Sequence, residues 1–300
     1  MIFLDSFSFP TFEEEDNFLA AYYRVNPYSM KSVYPFKTLS IKGLHSLDFD
    51  EITLLYGGNG SGKSTALNAI ANKLEVARSS AYNKGDFFCE YMDMCDYKIG
   101  DFDEYVLNLK DCTTLITSDD IFKYMLDIRQ RNGRVRVHRD DTIKNWMNER
   151  TSRITHINFE TGEGVDELRR YQRAKRQSCQ QYVRENLGEV VPSYSNGETG
   201  FMKFIDNIVP DRLYILDEPE NSLSCELQMK LAQYIKESAR FFGCQFIIAT
   251  HSPFLLAIEG AKIYNLDAEP ATVSKFWELP NMKLYYELFK NYEKKFVGNC

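Results

Sequence analysis

The sequence predicts an α/β chain. Its core sheet is mostly parallel and covered by helices, with an antiparallel β part near the N-terminus and a helical lobe inserted in the middle. Three observations carry this. Ile52–Tyr56, Leu213–Leu216 and Gln245–Ala249 are compact apolar runs of the kind found in strands buried on both faces. Segments of helical periodicity follow them, as in a sheet built from strand–helix crossovers. From Asp119 to Leu187 the pattern turns long, polar and helical instead. The expected division is therefore a core of residues 1–118 and 191–300 and a lobe of residues 119–190.

Composition sets the outer limits. With 44% hydrophobic and 26% charged residues the chain is an ordinary globular one, which excludes disordered and fibrous classes. No apolar run approaches the roughly 20 residues that span a bilayer. The opening MIFLDSFSFP has neither a basic segment nor a small-residue cleavage site, so a cytoplasmic protein without membrane insertion is expected. Seven cysteines without a C-x-x-C pair, and four histidines, point to reduced thiols rather than a zinc site.

Taken in order, Glu13-Glu14-Glu15-Asp16 reads as a solvated acidic turn, and Phe36–Phe49 as a pair of short strands around Gly43. Ile52–Tyr56 is a buried strand that stops at Gly57-Gly58-Asn59-Gly60. Ala66, Leu67, Ile70 and Leu74 then recur at helical spacing. The lobe crowds Arg169, Arg170, Arg173, Lys175 and Arg176 into one short stretch. Residues 121–190 carry a local charge of +5 against −7 for the whole chain, leaving −12 elsewhere, so an anionic partner such as DNA or RNA would meet the lobe. Phe201, Phe204, Ile205 and Ile208 mark an apolar-faced helix, and the strand Leu213–Leu216 follows. A helix from Leu223 to Phe242, the strand Gln245–Ala249, a short helix over Pro253–Ile258 and a strand Ile263–Leu266 complete the core.

The motifs sit at the strand ends. Gly57 to Thr65, GGNGSGKST, satisfies G-x-x-x-x-G-K-[ST]. Gly57, Gly60 and Gly62 let backbone N–H groups curl around phosphate oxygens past Asn59 and Ser61. The helix that follows points its positive end at the same oxygens, Lys63 reaches the β- and γ-phosphates, and the Ser64 hydroxyl ligates Mg²⁺ beside Thr65. A nucleoside triphosphate is the ligand this loop predicts. LYILDE ends an apolar strand in two carboxylates: Asp217 for Mg²⁺, and Glu218 to orient and deprotonate the attacking water. His251 stands at the tip of the next strand, 34 residues after Asp217, as a candidate γ-phosphate sensor. Ser195-Asn196-Gly197-Glu198 opens a helix with a capping serine and an acid in the first turn, a γ-phosphate ligand if a second subunit presents it.

GGNGSGKST, YSNGE, LYILDEPENSLS and FIIATHSPFLL together resemble the ATP-binding-cassette ATPases. The form is that of the chromosome-maintenance, DNA-repair and phage-defence branch, and closer still that of small stand-alone bacterial ATPases, over about Pro35 to Leu288. The resemblance implies ATP sandwiched between two heads. Lys63, Asp217, Glu218 and His251 would come from one head, and Ser195 with Gly197 from the other. No glutamine stands where that family places its Mg²⁺-contacting Gln; Thr117-Ser118-Asp119-Asp120 occupies roughly that place, with Ser118 or Asp119 as the substitute. Ser224 ends the Asn221–Ser224 loop where transporter subunits often have Asp.

About 130 residues separate Lys63 from Ser195, too few for long coiled-coil arms, and the 49 after His251 are too few for a fused nuclease. The expected function is Mg²⁺-dependent ATP binding and hydrolysis that closes and opens a homodimer. This switch would act on a partner protein, on nucleic acid, or on both, in genome maintenance or antiphage defence. The competing readings are a transporter's nucleotide-binding subunit, which the DEPE tetrad fits poorly, and an ATP-dependent scaffold with negligible turnover.

Overall fold

A computed structural model describes residues 1–78, 82–100, 108–151, 165–186, 196–221 and 223–297. The elements run β1 (Leu4–Ser8), α1 (Phe12–Val25), β2 (Ser46–Asp48), β3 (Ile52–Tyr56), α2 (Lys63–Lys73), α3 (Phe88–Met94), β4 (Asp96–Ile99) and β5 (Thr113–Thr117). Then come α4 (Ser118–Thr151), α5 (Val165–Arg176), α6 (Cys179–Asn186), α7 (Asn196–Asn207), β6 (Leu213–Asp217), α8 (Cys225–Phe241) and β7 (Gln245–Thr250). The chain closes with α9 (Pro253–Leu256), β8 (Lys262–Asn265), β9 (Thr272–Ser274) and α10 (Pro280–Val297). Two compact units result, Met1–Ile121 with Asn196–Cys300, and Phe122–Ser195.

The first unit holds a six-stranded sheet in the order β5-β6-β7-β3-β8-β9. The first five strands are parallel, and β9 joins the edge antiparallel. Every residue of β3 and β7 is buried, the consequence of covering both faces of a parallel sheet. The register fixes where chemistry can occur. Thr117 lies beside Asp217, Asp217 beside Ala249, Thr250 beside Tyr56, and Tyr56 beside Asn265. Five strands therefore end level, along one rim.

A second sheet, β2-β1-β4, is antiparallel throughout. The buried Gln245 side chain joins the sheets by accepting from Phe3 N and Leu4 N at 2.8 and 2.9 Å and donating to Leu4 O at 2.8 Å. Two expectations are corrected here. Phe36–Phe49 contributes a single strand, β2. The part before it is a turn and a short 3₁₀ helix, Ser40–Lys42, that ends on Gly43 at φ 62°; the partners of β2 come from outside that stretch. Nor is Glu13–Asp16 a solvated turn. It forms the first turn of α1, with Thr11 and Glu14 as a reciprocal capping box. Glu15 is fully buried, accepting from Lys37 N at 2.7 Å and from the Ser40 hydroxyl, and burial pushes its carboxyl up.

The second unit is helical where described. Trp146 Nε1 donates to Ala174 O at 3.1 Å and the Tyr182 hydroxyl to Glu149 Oε2 at 3.0 Å, so α4 is held to α5 and α6 by buried or half-buried polar tips. Arg169, Arg170, Arg173, Lys175 and Arg176 are exposed along α5. Among the described residues no helix is long and apolar enough to cross a membrane.

Candidate nucleotide site

The level strand ends bring the motif residues together. The loop between β3 and α2 is tightly built. A Cβ on Gly62, at φ 97°, would lie 2.6 Å from the Leu39 side chain, and one on Gly57 2.5 Å from Ser61 Oγ. Bare backbone is therefore required at both positions. Ser61 is buried, and its hydroxyl has no partner among the described residues. Asn59 and Gly60 are exposed at the loop tip. Thr65 is buried with its hydroxyl 3.3 Å from the Tyr34 hydroxyl.

Lys63, the first residue of α2, is 5% exposed and donates to Gly57 O at 2.7 Å and Gly58 O at 3.0 Å. Its Nζ lies 3.9 Å from Glu218 Oε1. The Ser64 hydroxyl donates to Asp217 Oδ1 at 3.2 Å, so a hydroxyl and a carboxylate sit side by side. Burial pushes the Asp217 carboxyl up to about 6, with Glu218 and Glu220 adding to the rise and Ser64 and Lys63 opposing it. Among the described residues no group of three or more His, Cys, Asp and Glu side chains could hold a metal. A cation here would rest on Ser64, Asp217 and the phosphates. That hard oxygen pair suits Mg²⁺, which keeps several waters and borrows phosphate oxygens.

Glu218 follows β6 with φ 48°, an uncommon left-handed backbone for a residue with a side chain. Its N–H donates to Ala249 O at 2.9 Å, its Oε2 accepts from Asn221 Nδ2 at 3.0 Å, and its Oε1 is 3.9 Å from His251 Nδ1. His251 is half exposed. Ser118 and Asp119 line a cavity of about 350 Å³ together with Ser64, Asn68, Arg78, Asp217 and Glu218. Asp120 is occupied otherwise, accepting from Thr117 N at 3.0 Å and the Thr117 hydroxyl at 2.8 Å. Ser195 lies outside the described residues, and Asn196, Gly197 and Glu198 open α7.

Three further residues belong to this rim. Glu220, 4% exposed, accepts through Oε1 from the Thr250 hydroxyl at 2.6 Å, His251 N at 2.9 Å and Ser252 N at 3.1 Å, so it holds the segment that carries His251. Asp267, just past β8, accepts from Gly58 N with both carboxylate oxygens at 3.0 and 2.9 Å and braces the start of the loop. Arg78 lines the cavity, donates to Asn68 Oδ1 at 2.7 Å and stacks 3.9 Å from the Tyr82 ring centroid, while burial holds its guanidinium below the usual value. Glu220 was visible as the last letter of the DEPE tetrad and Asp267 as the acid after a predicted strand. A lone arginine after a helix carries no spacing signal.

Two family models match the chain. Residues 38–85 match the "P-loop containing region of AAA domain", and residues 201–257 match a family described as "AAA domain, putative AbiEii toxin, Type IV TA system". No curated protein matches. Among solved structures, the chain is similar to an Smc head domain from Pyrococcus furiosus with an extended coiled coil, bound to the C-terminal domain of ScpA. The identity is 13% and the TM-score 0.39, over 81% of this chain and 94% of that one. It is also similar to "an inward-facing conformation of a putative metal-chelate type ABC transporter", at 18% identity and TM-score 0.37, over 82% and 80%. These scores are low, and the class rests on the loop, the strand order and the matched families. Together they support a P-loop ATPase domain.

Proposed function

We propose that this chain binds and hydrolyses ATP, and that ATP closes two copies head to tail into a switch read by a protein partner, by nucleic acid, or by both. The observation that supports it best is the convergence of Lys63, Ser64, Asp217, Glu218 and His251 on one rim of the sheet. Loop N–H groups and the N-terminal end of α2 would hold the phosphates, with Lys63 on the β- and γ-groups. Ser64 and Asp217 would hold Mg²⁺, which when bound neutralises phosphate charge; Ser118 and Asp119 face the same cavity. Glu218 removes a proton from water as the water oxygen bonds to the γ-phosphorus and the β–γ bridging bond breaks, leaving ADP. His251, held by Glu220, sits within reach of Glu218 and reports the γ-phosphate. Ser195, Asn196, Gly197 and Glu198 of the second copy complete each site. The exposed basic residues of α5 favour DNA or RNA as one ligand, and the matched family's toxin description fits a defence setting.

Mixing two inactive variants tests the composite site. Lys63→Ala removes the loop cation and Ser195→Arg blocks the signature, so each alone should release no phosphate from ATP. A mixed pair contains one site with both halves intact and should regain turnover well above either variant. Absence of any regain would overturn the head-to-tail arrangement.

A further inference from the structure

Helix α10 leaves the core after two anchors, Leu279 at 0% and Met282 at 6% exposure. From Lys283 to Phe296 every residue is exposed, including Tyr285, Leu288, Phe289, Tyr292 and Phe296. Such a bare aromatic surface is unusual on a finished fold. The positions are ordered. Tyr285, Phe289, Tyr292 and Phe296 are spaced four, three and four residues apart, the stagger of a seam between two helices, and Leu288 flanks them. At 100° per residue, Lys283, Glu287, Lys290, Asn291 and Lys294 all fall on the opposite side. The Phe289 and Phe296 rings are 6.1 Å apart, and a shallow groove of about 380 Å³ runs along Tyr286, Phe289, Lys290, Glu293 and Phe296.

We infer that α10 pairs antiparallel with α10 of a second copy of this chain, without nucleotide. The seam is complementary to itself. Turned end for end about a twofold axis, Phe289 meets the second copy's Tyr292 and Tyr285 meets its Phe296, which gives four filled layers from one short helix. Offset rings of this kind attract beyond their buried area. The antiparallel direction opposes the helix dipoles and keeps the two Lys294–Lys295 pairs apart. At about 200 Å² for a large side chain, the exposed fractions of Tyr285, Leu288, Phe289, Tyr292 and Phe296 amount to roughly 540 Å² per copy. The pair thus reaches about 1,100 Å², just above the roughly 1,000 Å² that a specific interface should clear. The inference stands apart from the ATP-driven contact, since α10 carries none of the residues assigned to the nucleotide.

Light-scattering mass without nucleotide, between about 1 and 100 μM protein, tests it. The wild type should approach twice 35.0 kDa, and Phe289→Glu/Tyr292→Glu should self-associate at least 100-fold more weakly with its helical circular dichroism and melting temperature kept. Phe289→Glu and Tyr292→Lys, each monomeric alone, should pair when mixed, because the antiparallel register sets position 289 against 292. A wild type that stays monomeric throughout overturns the inference, as does a dimer indifferent to the double substitution. Flotation of a monomeric wild type with anionic vesicles would assign the face to a lipid surface and overturn it too. Failure of the variant-mixing test on Lys63 and Ser195 would leave this result untouched.

Discussion

Helix α2 buries Ala66, Leu67, Ala69, Ile70 and Ala71, whereas α10 holds Tyr285, Leu288, Phe289, Tyr292 and Phe296 in solvent. Helix α2 is buried over most of its circumference, and α10 is amphipathic by spacing. The small side chains of α2 let it lie close under the sheet rim, with its first turn continuing the glycine-rich loop after β3. Periodicity thus tells which side of a helix is apolar, and only the tertiary structure tells whether the same chain covers it.

The comparison can be broken at either helix. The largest effect is expected at the loop: Lys63→Ala should weaken ATP by 100-fold or more in titration calorimetry, about 3 kcal/mol, with nucleotide-free mass unchanged. Glu218→Gln should keep ATP binding and lower phosphate release on the order of 100-fold or more, the usual contribution of a general base; equal turnover would remove Glu218 from that role. In urea unfolding, Leu54→Ala in β3, at 0% exposure, should cost about 2–5 kcal/mol. The matching change Leu288→Ala should alter the unfolding of dilute, monomeric protein by about 0.5 kcal/mol or less. An equal cost at both sites would mean that α10 is covered within the chain.

The smallest effect concerns pH. The carboxyl of Glu15 is raised by burial, so its contribution to stability is complete below the ordinary glutamate value near 4.5 and is lost as pH rises through the higher folded value. Glu15→Gln should flatten that part of the stability profile in urea titrations from pH 4 to 8. An unaltered slope would show that Glu15 titrates as it does in the unfolded chain.

Strands β3, β6 and β7 were legible because each is a continuous apolar run ending in a motif; Asp217 and Glu218 follow LYIL and His251 follows QFIIAT. The threonine-rich β5 and the short edge strand β9 gave no such run. The order of those strands was not legible, since nothing local says that β7 lies between β6 and β3. The second sheet was legible only as an antiparallel β part near the N-terminus, and strands β1 and β4 were not read, for a similar reason. Strands β1 and β4 are short, and β1 pairs with residues about 40 and 90 positions away in the sequence. Glu15 looked solvated because its neighbours in sequence are acidic, while its partners, Lys37 and Ser40, arrive from a distant turn. Asp267 reaches Gly58 across 209 residues, a contact that no spacing rule foresees.

The left-handed backbone at Glu218 has an evolutionary consequence. Glycine adopts that conformation freely, and a residue with a side chain gives up about 1 kcal/mol there. Selection for folding alone would drift toward glycine at this position, and selection for the turnover proposed for Glu218 would hold the carboxylate against that drift. Copies that have abandoned hydrolysis should therefore be recognisable by glycine or asparagine after the last aspartate of β6, and should melt at a higher temperature than the chain that kept its acid.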